Sequence, residues 1–274
     1  MENNASTEEI EAIARKIRGK IIDLTHKAKC AHLASAMSCA DILATLYWKI
    51  LNIDPKNPKD PDRDRFILSK GHAAMALYST LAFKGFFPET SLDTFGEQGT
   101  IFAEHPDPAI PGIETATGSL GHGLSVGVGM ALAGKIQKKN YKVFAVLSDG
   151  ECNEGSTWEA TMFAPAHKLD NVCAIVDFNK WQATSRSTEV LALEPLKEKW
   201  KSFGWSTYEI DGHDLSKLYD VLSKIPDGSG KPVAIIAHTV KGKGVSFMED
   251  DNNWHYRVPD KEEVKKAKKE LGLE

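Results

Sequence analysis

A chain of 274 residues, 42% hydrophobic and 26% charged, is long enough to bury about three quarters of its unfolded surface in one large α/β domain or two small ones. A formal charge of −4, a pI near 6.2 and the lack of a basic stripe with interleaved aromatics argue against nucleic acid or an anionic membrane as the main partner. The polar, acidic start from Met1 to Glu9 is no secretory signal, no run of about eighteen apolar residues occurs, and Cys30, Cys39, Cys152 and Cys173 lack Cys-x-x-Cys spacing, so a cytoplasmic protein with free thiols is expected.

Ile10, Ile13, Ala14, Ile17, Ile21 and Leu24 recur at helical spacing behind a capping start at Thr7-Glu8-Glu9. A turn at residues 29–34 contains His32, which reads equally as a helix-capping or packing histidine, and a second helix is predicted from about Ser38 to Leu51. Pro55, Pro58 and Pro61 mark a surface loop. Arg63–Leu68 reads as a strand, after which Ser69-Lys70-Gly71-His72 opens a helix running through Leu81. A strand, a glycine turn and a helix amino terminus form a natural anion site.

Residues 85–117 show little regular pattern and form a long loop of the kind that carries function; it contains His105, by default an exposed loop histidine beside prolines. Thr117 to Gly134 is a glycine-rich entry into an apolar helix, which fits close helix packing or backbone approach to a ligand. Trp205–Ile210 and Pro232–Ala237 read as strands with a helix near 214–222 between them. A glycine-lysine loop from His238 to Ser246 suits phosphates. The tail 259–274 is a Lys/Glu-rich helix with a solvated face.

The centre of the chain is residues 143–181. Val143–Leu147 and Val172–Val176 are continuous apolar runs with β-branched residues, the pattern of strands covered on both faces of a parallel sheet, joined by a helix in a right-handed βαβ unit. Asp149 and Asn179 follow these strands, so the sheet brings them together beyond its carboxyl edge. A carboxylate, an amide and the backbone carbonyl of Trp181 make half an octahedron for Mg²⁺ or Ca²⁺ and leave room for phosphate oxygens and water. Taken singly, Asp149-Gly150 is only a common turn dipeptide; the spacing of the pair makes the metal diphosphate reading.

Ser148-Asp149-Gly150, followed by Asp177-Phe178-Asn179, resembles the thiamin-diphosphate motif, and Asn153-Glu154-Gly155 with Trp158-Glu159-Ala160 looks like its transketolase version. Ser148 replaces the usual first glycine and Phe178 an Asn or Asp, but no ligand oxygen is lost. The resemblance implies an α/β diphosphate-binding (PP) domain with helices on both faces of a parallel sheet, thiamin diphosphate as cofactor, and Mg²⁺, replaceable by Ca²⁺ or Mn²⁺, on Asp149, Asn179 and Trp181. It implies further cofactor contacts at His72, Gly118, Ser119, Leu120, Gly150, Glu151, Glu154 and His255. His32, His72, His105 and His255 are the implied catalytic histidines facing the sugar, and His122 lies behind or at an interface.

Ala31-His32-Leu33-Ala34 stands where transketolases carry Ser-Gly-His-Pro-Gly, so both glycines flanking the histidine are alanines here. Pentose phosphates, branched sugar phosphates and sulfonated sugars all remain open as substrates. The resemblance covers about residues 8–258 and lacks the pyrimidine-binding domain, with its activating glutamate and sugar-phosphate ligands. It therefore implies the amino-terminal subunit of a split transketolase, one domain over 1–274, in an α2β2 complex with a partner of roughly 300 residues. Glu154 is expected at the interface. The alternatives are a subunit of another thiamin enzyme, such as a deoxyxylulose-phosphate synthase or a keto-acid dehydrogenase component, and a non-catalytic cofactor-binding or regulatory subunit.

Overall fold

The computed structural model describes residues 5–274; residues 1–4, part of the stretch read as no signal, lie outside it. Five strands, β1 (Arg65–Leu68), β2 (Val143–Ser148), β3 (Val172–Phe178), β4 (Ser206–Asp211) and β5 (Val233–His238), form one sheet in the order β1-β2-β3-β5-β4. Every neighbouring pair is parallel. The register sets Ser148 beside Asp177, and Phe178 beside His238.

The unbroken apolar runs resolve into two faces. Phe144, Val146, Cys173, Ile175, Val233 and Ile235 pack into one core, and Val143, Ala145, Leu147, Val172, Ala174, Val176 and Ile236 into the other. The central runs alternate between faces, but with both faces covered the alternation leaves no polar residue within them.

The first face carries helix α1 (Thr7–Ala28), the short helices α2 (Leu33–Ser38) and α3 (Ala40–Thr45), and α4 (Ala74–Lys84). Helix α1 is capped by a box between Ser6 and Glu9, one residue before the start read from the sequence. The second face is covered by α5 (Gly123–Ile136) and α6 (Gly155–Ala166). A single turn α7 (Ser187–Val190) and helix α8 (Leu196–Ser202), neither of them legible in the sequence, follow β3, with Trp200 of α8 set edge-on to Trp205. Helix α9 (Leu215–Leu222) returns the chain from β4 to β5 on the first face, and α10 (Lys261–Glu270) closes over α1, where Leu273 meets Gly19.

The helix expected from Ser38 to Leu51 is corrected. Helix begins at Leu33, breaks at Cys39 (φ −92°, ψ 6°) and ends in a π-turn over Leu46–Ile50. At the break the Ser38 hydroxyl lies 2.6 Å from Asp177 Oδ2 and takes a long 3.4 Å bond from Asn179 Nδ2, contacts that hold it toward β3. The loop over 85–117 contains a 3₁₀ turn at Glu89–Thr94 and is anchored by buried Leu92, Phe95, Phe102, Ile110 and Ile113. A half-buried Arg63–Glu114 ion pair fastens its end just before β1. Among the described residues no helix is long and apolar enough to cross a membrane, and the four cysteines are free and buried.

Candidate active site at the carboxyl edge of the sheet

The segments following β1, β2, β3 and β5 meet at one edge of the sheet. Below them Lys70 and Asp177 form a fully buried ion pair at 2.6 Å. Asp177 also accepts from the hydroxyls of Ser38 and Thr239, and Lys70 donates to the Ser35 carbonyl at 2.8 Å. Burial opposes the charge on Lys70, but Asp177 more than offsets it and raises the ammonium pKa. The sequence alone does not single out Lys70, Asp177 and Ser38: a lysine after a short strand reads as a solvated turn residue, and only its packing shows otherwise.

Asp149 is buried at the end of β2, where Oδ1 accepts from Gly150 N–H at 3.0 Å and Oδ2 from the Ser187 hydroxyl. Burial pushes its carboxyl up to about 6, against the lowering effect of the Ser187 bond, and no ion pair reaches it among the described residues. Asn179 is buried beside it, with Oδ1 accepting from Trp181 N–H at 3.1 Å. Trp181 is pinned by its indole N–H on Asp250 at 2.8 Å and by the Arg186 guanidinium 3.8 Å over its ring. Gln182 Nε2 is buried without a hydrogen-bond partner, and a Cβ on Gly150 would lie 3.0 Å from Gln182 Cγ. An uncompensated carboxylate, an amide oxygen and an orphaned donor in one loop cluster fit a hard cation carrying phosphate oxygens. Among the described residues no three His, Cys, Asp or Glu side chains cluster as a metal site.

Three imidazoles wall the same edge. His32, His72 and His255 stand with ring centroids 5.2 Å (His32–His72), 5.0 Å (His32–His255) and 6.3 Å (His72–His255) apart. His32 N–H donates to the His255 carbonyl at 2.6 Å and His32 itself is left-handed (φ 74°), which fixes the turn into α2. Ser35 Oγ lies 3.0 Å from His72 Nε2. Burial, then His105, pushes His32 down to about 4; burial, then Lys241, pushes His255 down to about 3; burial, then Lys70, takes His72 well below its ordinary value. All three are therefore neutral at neutral pH and able to donate or accept a hydrogen bond.

Lys241, which the sequence shows only as part of a glycine-lysine loop, is buried after β5. Its amine donates to Asn252 Oδ1 at 2.6 Å and to His255 Nδ1 at 3.0 Å, and burial, then the charge of Lys70, pushes it down to about 7. An amine in that position can receive a proton or hold an anion.

His105 lies on the exposed loop with its ring over Gly118, where a Cβ would come 2.4 Å from His105 Cδ2. Tyr78 donates to the His105 carbonyl at 2.7 Å and holds that loop down. Ser119 is exposed and Leu120 half-buried on the way into α5. Glu151 turns inward: it accepts from Ser69 and from Gly121 N–H at 2.8 Å, and from Ser148 N–H at 3.3 Å, so both oxygens are spent on tying three loops together. Glu154 is exposed beside Gly121, and His122 is exposed at the start of α5.

Against known proteins, residues 10–274 match the family model "Transketolase, thiamine diphosphate binding domain", a match that runs through α10 and past the point where the motif resemblance stopped. An apulose-4-phosphate transketolase subunit from Phocaeicola vulgatus is 43% identical over 96% of this chain and 94% of its own length. A 6-deoxy-6-sulfo-D-fructose transketolase subunit from a Clostridium species is 42% identical over 86% of each chain. The crystal structure of transketolase from Campylobacter jejuni superimposes with a TM-score of 0.92 at 30% identity, covering 98% of this chain. This chain spans 44% of that longer one. With the parallel sheet, the carboxyl-edge cluster and these likenesses together, the chain belongs to the transketolase family, of which it is a thiamine diphosphate-binding domain.

Proposed function

We propose that this chain is the diphosphate-binding subunit of a two-subunit transketolase that moves a two-carbon ketol unit from a ketose phosphate to an aldose phosphate. The observation that carries the proposal is the cluster of buried Asp149 and Asn179 with Lys241 and three neutral histidines at one sheet edge. Relatives whose names make them subunits of apulose-4-phosphate transketolases, matched along 94% and 98% of their length, support a separate chain for this domain. Asp149, Asn179 and the Trp181 carbonyl would hold Mg²⁺, or Ca²⁺ or Mn²⁺ in its place, with Gly150 N–H, Lys241, His72 and His255 around the diphosphate and Gly118 to Leu120 against the rings.

Bound there, thiamin diphosphate supplies the nucleophilic carbon and the electron sink that let a C–C bond break and re-form. The residues of this chain do the rest of their share. His32, His72, His105 and His255 hydrogen-bond the sugar hydroxyls, and the neutral His32, His72 and His255 can take a hydroxyl proton and return it. The partner subunit brings the pyrimidine-binding domain, with the carboxylic acid that activates the aminopyrimidine, and side chains for the sugar phosphate. Two copies of each chain form the cytoplasmic complex, with Glu154 at the interface between sites. The single domain over 1–274 includes the active-site loop 85–117 and the helical tail.

Two of the relatives carry names that specify apulose 4-phosphate and sulfofructose, which, with alanines at 31 and 34, makes a branched or sulfonated ketose the substrate class to try beside pentose phosphates. The test is to purify the chain from its own cells, identify what comes with it by mass, and assay the complex with ketose phosphates and with pyruvate. Ketol transfer that requires the partner supports the proposal. Decarboxylation of pyruvate, or full activity from this chain alone, overturns it.

A further inference from the structure

Behind the loop that carries Lys241 lies a relay of side chains that the reaction does not touch. The Arg18 guanidinium grips Asp41 with both terminal nitrogens, at 3.2 Å to Oδ1 and 2.5 Å to Oδ2, and donates through Nε to the Met37 carbonyl at 3.3 Å. Burial opposes ionisation of Asp41, but Arg18 and His213 overcome it and hold the carboxyl down to about 2. His213, in the turn between β4 and α9, sets Nδ1 2.6 Å from Asp41 Oδ2, and its Nε2 stands 2.9 Å from the backbone N–H of Val240. A peptide N–H can only donate. Nε2 is therefore the bare nitrogen, Nδ1 carries the proton, and the imidazole is locked in one neutral tautomer by an anion on one side and an amide on the other.

The residue after Val240 is Lys241. The loop is also tied by Thr239 to Asp177 and to the Phe178 carbonyl, by Lys243 N–H to the Val240 carbonyl at 3.2 Å, by Asp250 N–H to the Lys241 carbonyl at 2.8 Å, and by Gly242 N–H to the Ala34 carbonyl at 2.9 Å. Gly212 lets the two turns lie backbone to backbone: its N–H donates to the His238 carbonyl at 2.8 Å, and a Cβ there would meet Thr239 Cγ2 at 2.6 Å. The Val240 N–H belongs to the Thr239–Val240 peptide, so its acceptor sets the orientation of the peptide plane one step before Lys241.

We propose that His213 is a positioning residue: through its single tautomer it fixes the Thr239–Val240 peptide, by which the chain enters Lys241, and so helps aim the Lys241 amine at the bound diphosphate. The last clause rests on the transketolase reading above; the tether itself does not. A half-buried peptide N–H left without its acceptor is costly, so the loop turns to find another and carries Lys241 with it.

Two variants separate the halves of the ring. His213→Asn keeps a donor near Asp41 but has no acceptor that reaches Val240, whereas His213→Gln extends an amide oxygen toward the Nε2 position. Amide hydrogen exchange is measured on the full chain without cofactor, and Mg²⁺-thiamin diphosphate is titrated into the complex with its partner by tryptophan quenching. In His213→Asn, exchange at Val240 rises about tenfold, the scale of one lost net hydrogen bond, while β5 stays protected and cofactor affinity falls by about the same factor. In His213→Gln both return to within about threefold of the native protein. Native exchange in His213→Asn, loosening that spreads through β4, β5 and α9 alike, or unchanged cofactor affinity despite a loosened loop each overturns the proposal. If the native complex binds no Mg²⁺-thiamin diphosphate, the functional reading falls, and the exchange result still decides the tether.

Discussion

Lys70 Nζ and Asp177 Oδ2 are 2.6 Å apart with neither side chain reaching solvent, and they sit under the loops that end β1 and β3. A buried pair of this kind costs heavily to desolvate, so removing one member leaves a bare charge. Lys70→Met is expected to lower unfolding free energy by about 3–5 kcal/mol, while Lys70→Met combined with Asp177→Leu loses much less than the two single changes summed. Denaturant titration of the four proteins checks this; a loss below about 1 kcal/mol in Lys70→Met would show that Asp177 is satisfied by Ser38 and Thr239 alone.

Asp149 has no ion-pair partner among the described residues, and its loop holds the orphaned Gln182 amide. Asp149→Ala in the two-subunit complex is expected to weaken Mg²⁺-dependent thiamin diphosphate binding by more than a hundredfold, because Mg²⁺ tolerates little distortion of its octahedron. The chain itself should fold as before, since burial penalises this carboxylate in the empty protein. Calorimetric titration with and without Mg²⁺ is the measurement; an unchanged, metal-dependent affinity would remove Asp149 from the ligand set.

How much of this is written in the sequence depends on the kind of signal. Asp149 and Asn179 are legible because each follows a run of buried aliphatic residues, and parallel strands bring their carboxyl ends together whatever the rest of the chain does. Lys70 and Lys241 are not, since a lysine's burial is decided by partners distant in sequence, Asp177 in one case and Asn252 with His255 in the other. Glu151 follows Gly150 in the motif yet faces Ser69 and Gly121, a direction set by the 3₁₀ turn over Gly150–Asn153. The break at Cys39 is hidden because alanine-rich segments favour helix, and nothing local reveals that Ser38 is held to Asp177. His213 in Asp211-Gly212-His213-Asp214 reads as an ordinary turn, and only the folded chain brings it Asp41 on one side and the Val240 N–H on the other.

His32 and His255 make stability pH-dependent. Their ordinary value is 6.5, and burial holds them near 4 and 3 in the folded chain, so between those values the unfolded chain binds more protons. Their contribution is fully present above about pH 6.5 and drains away as the pH falls toward 4. The melting temperature of the cofactor-free chain should drop over that window, and the drop should shrink in the His32→Asn/His255→Asn double variant. Identical pH profiles for the two proteins would show that these rings are already hydrated and free to charge.

Gly118 leaves the space that the His105 ring fills, at a backbone angle (φ 139°) that side chains other than hydrogen rarely adopt. Gly118→Ala puts a methyl where the ring now lies, and the exposed loop, not the anchored start of α5, is the side that yields. In the reconstituted two-subunit enzyme the Michaelis constant for the ketose donor should rise about tenfold, the cost of one misplaced hydroxyl contact, with folding stability lowered by about 1–3 kcal/mol. If His105 is what the methyl displaces, adding His105→Ala to Gly118→Ala should cost little more than either alone, because residues in contact do not behave additively. Steady-state kinetics on the two single variants and the double decide it. Fully additive losses would mean that Gly118 acts on the cofactor rings directly and that His105 works apart from it.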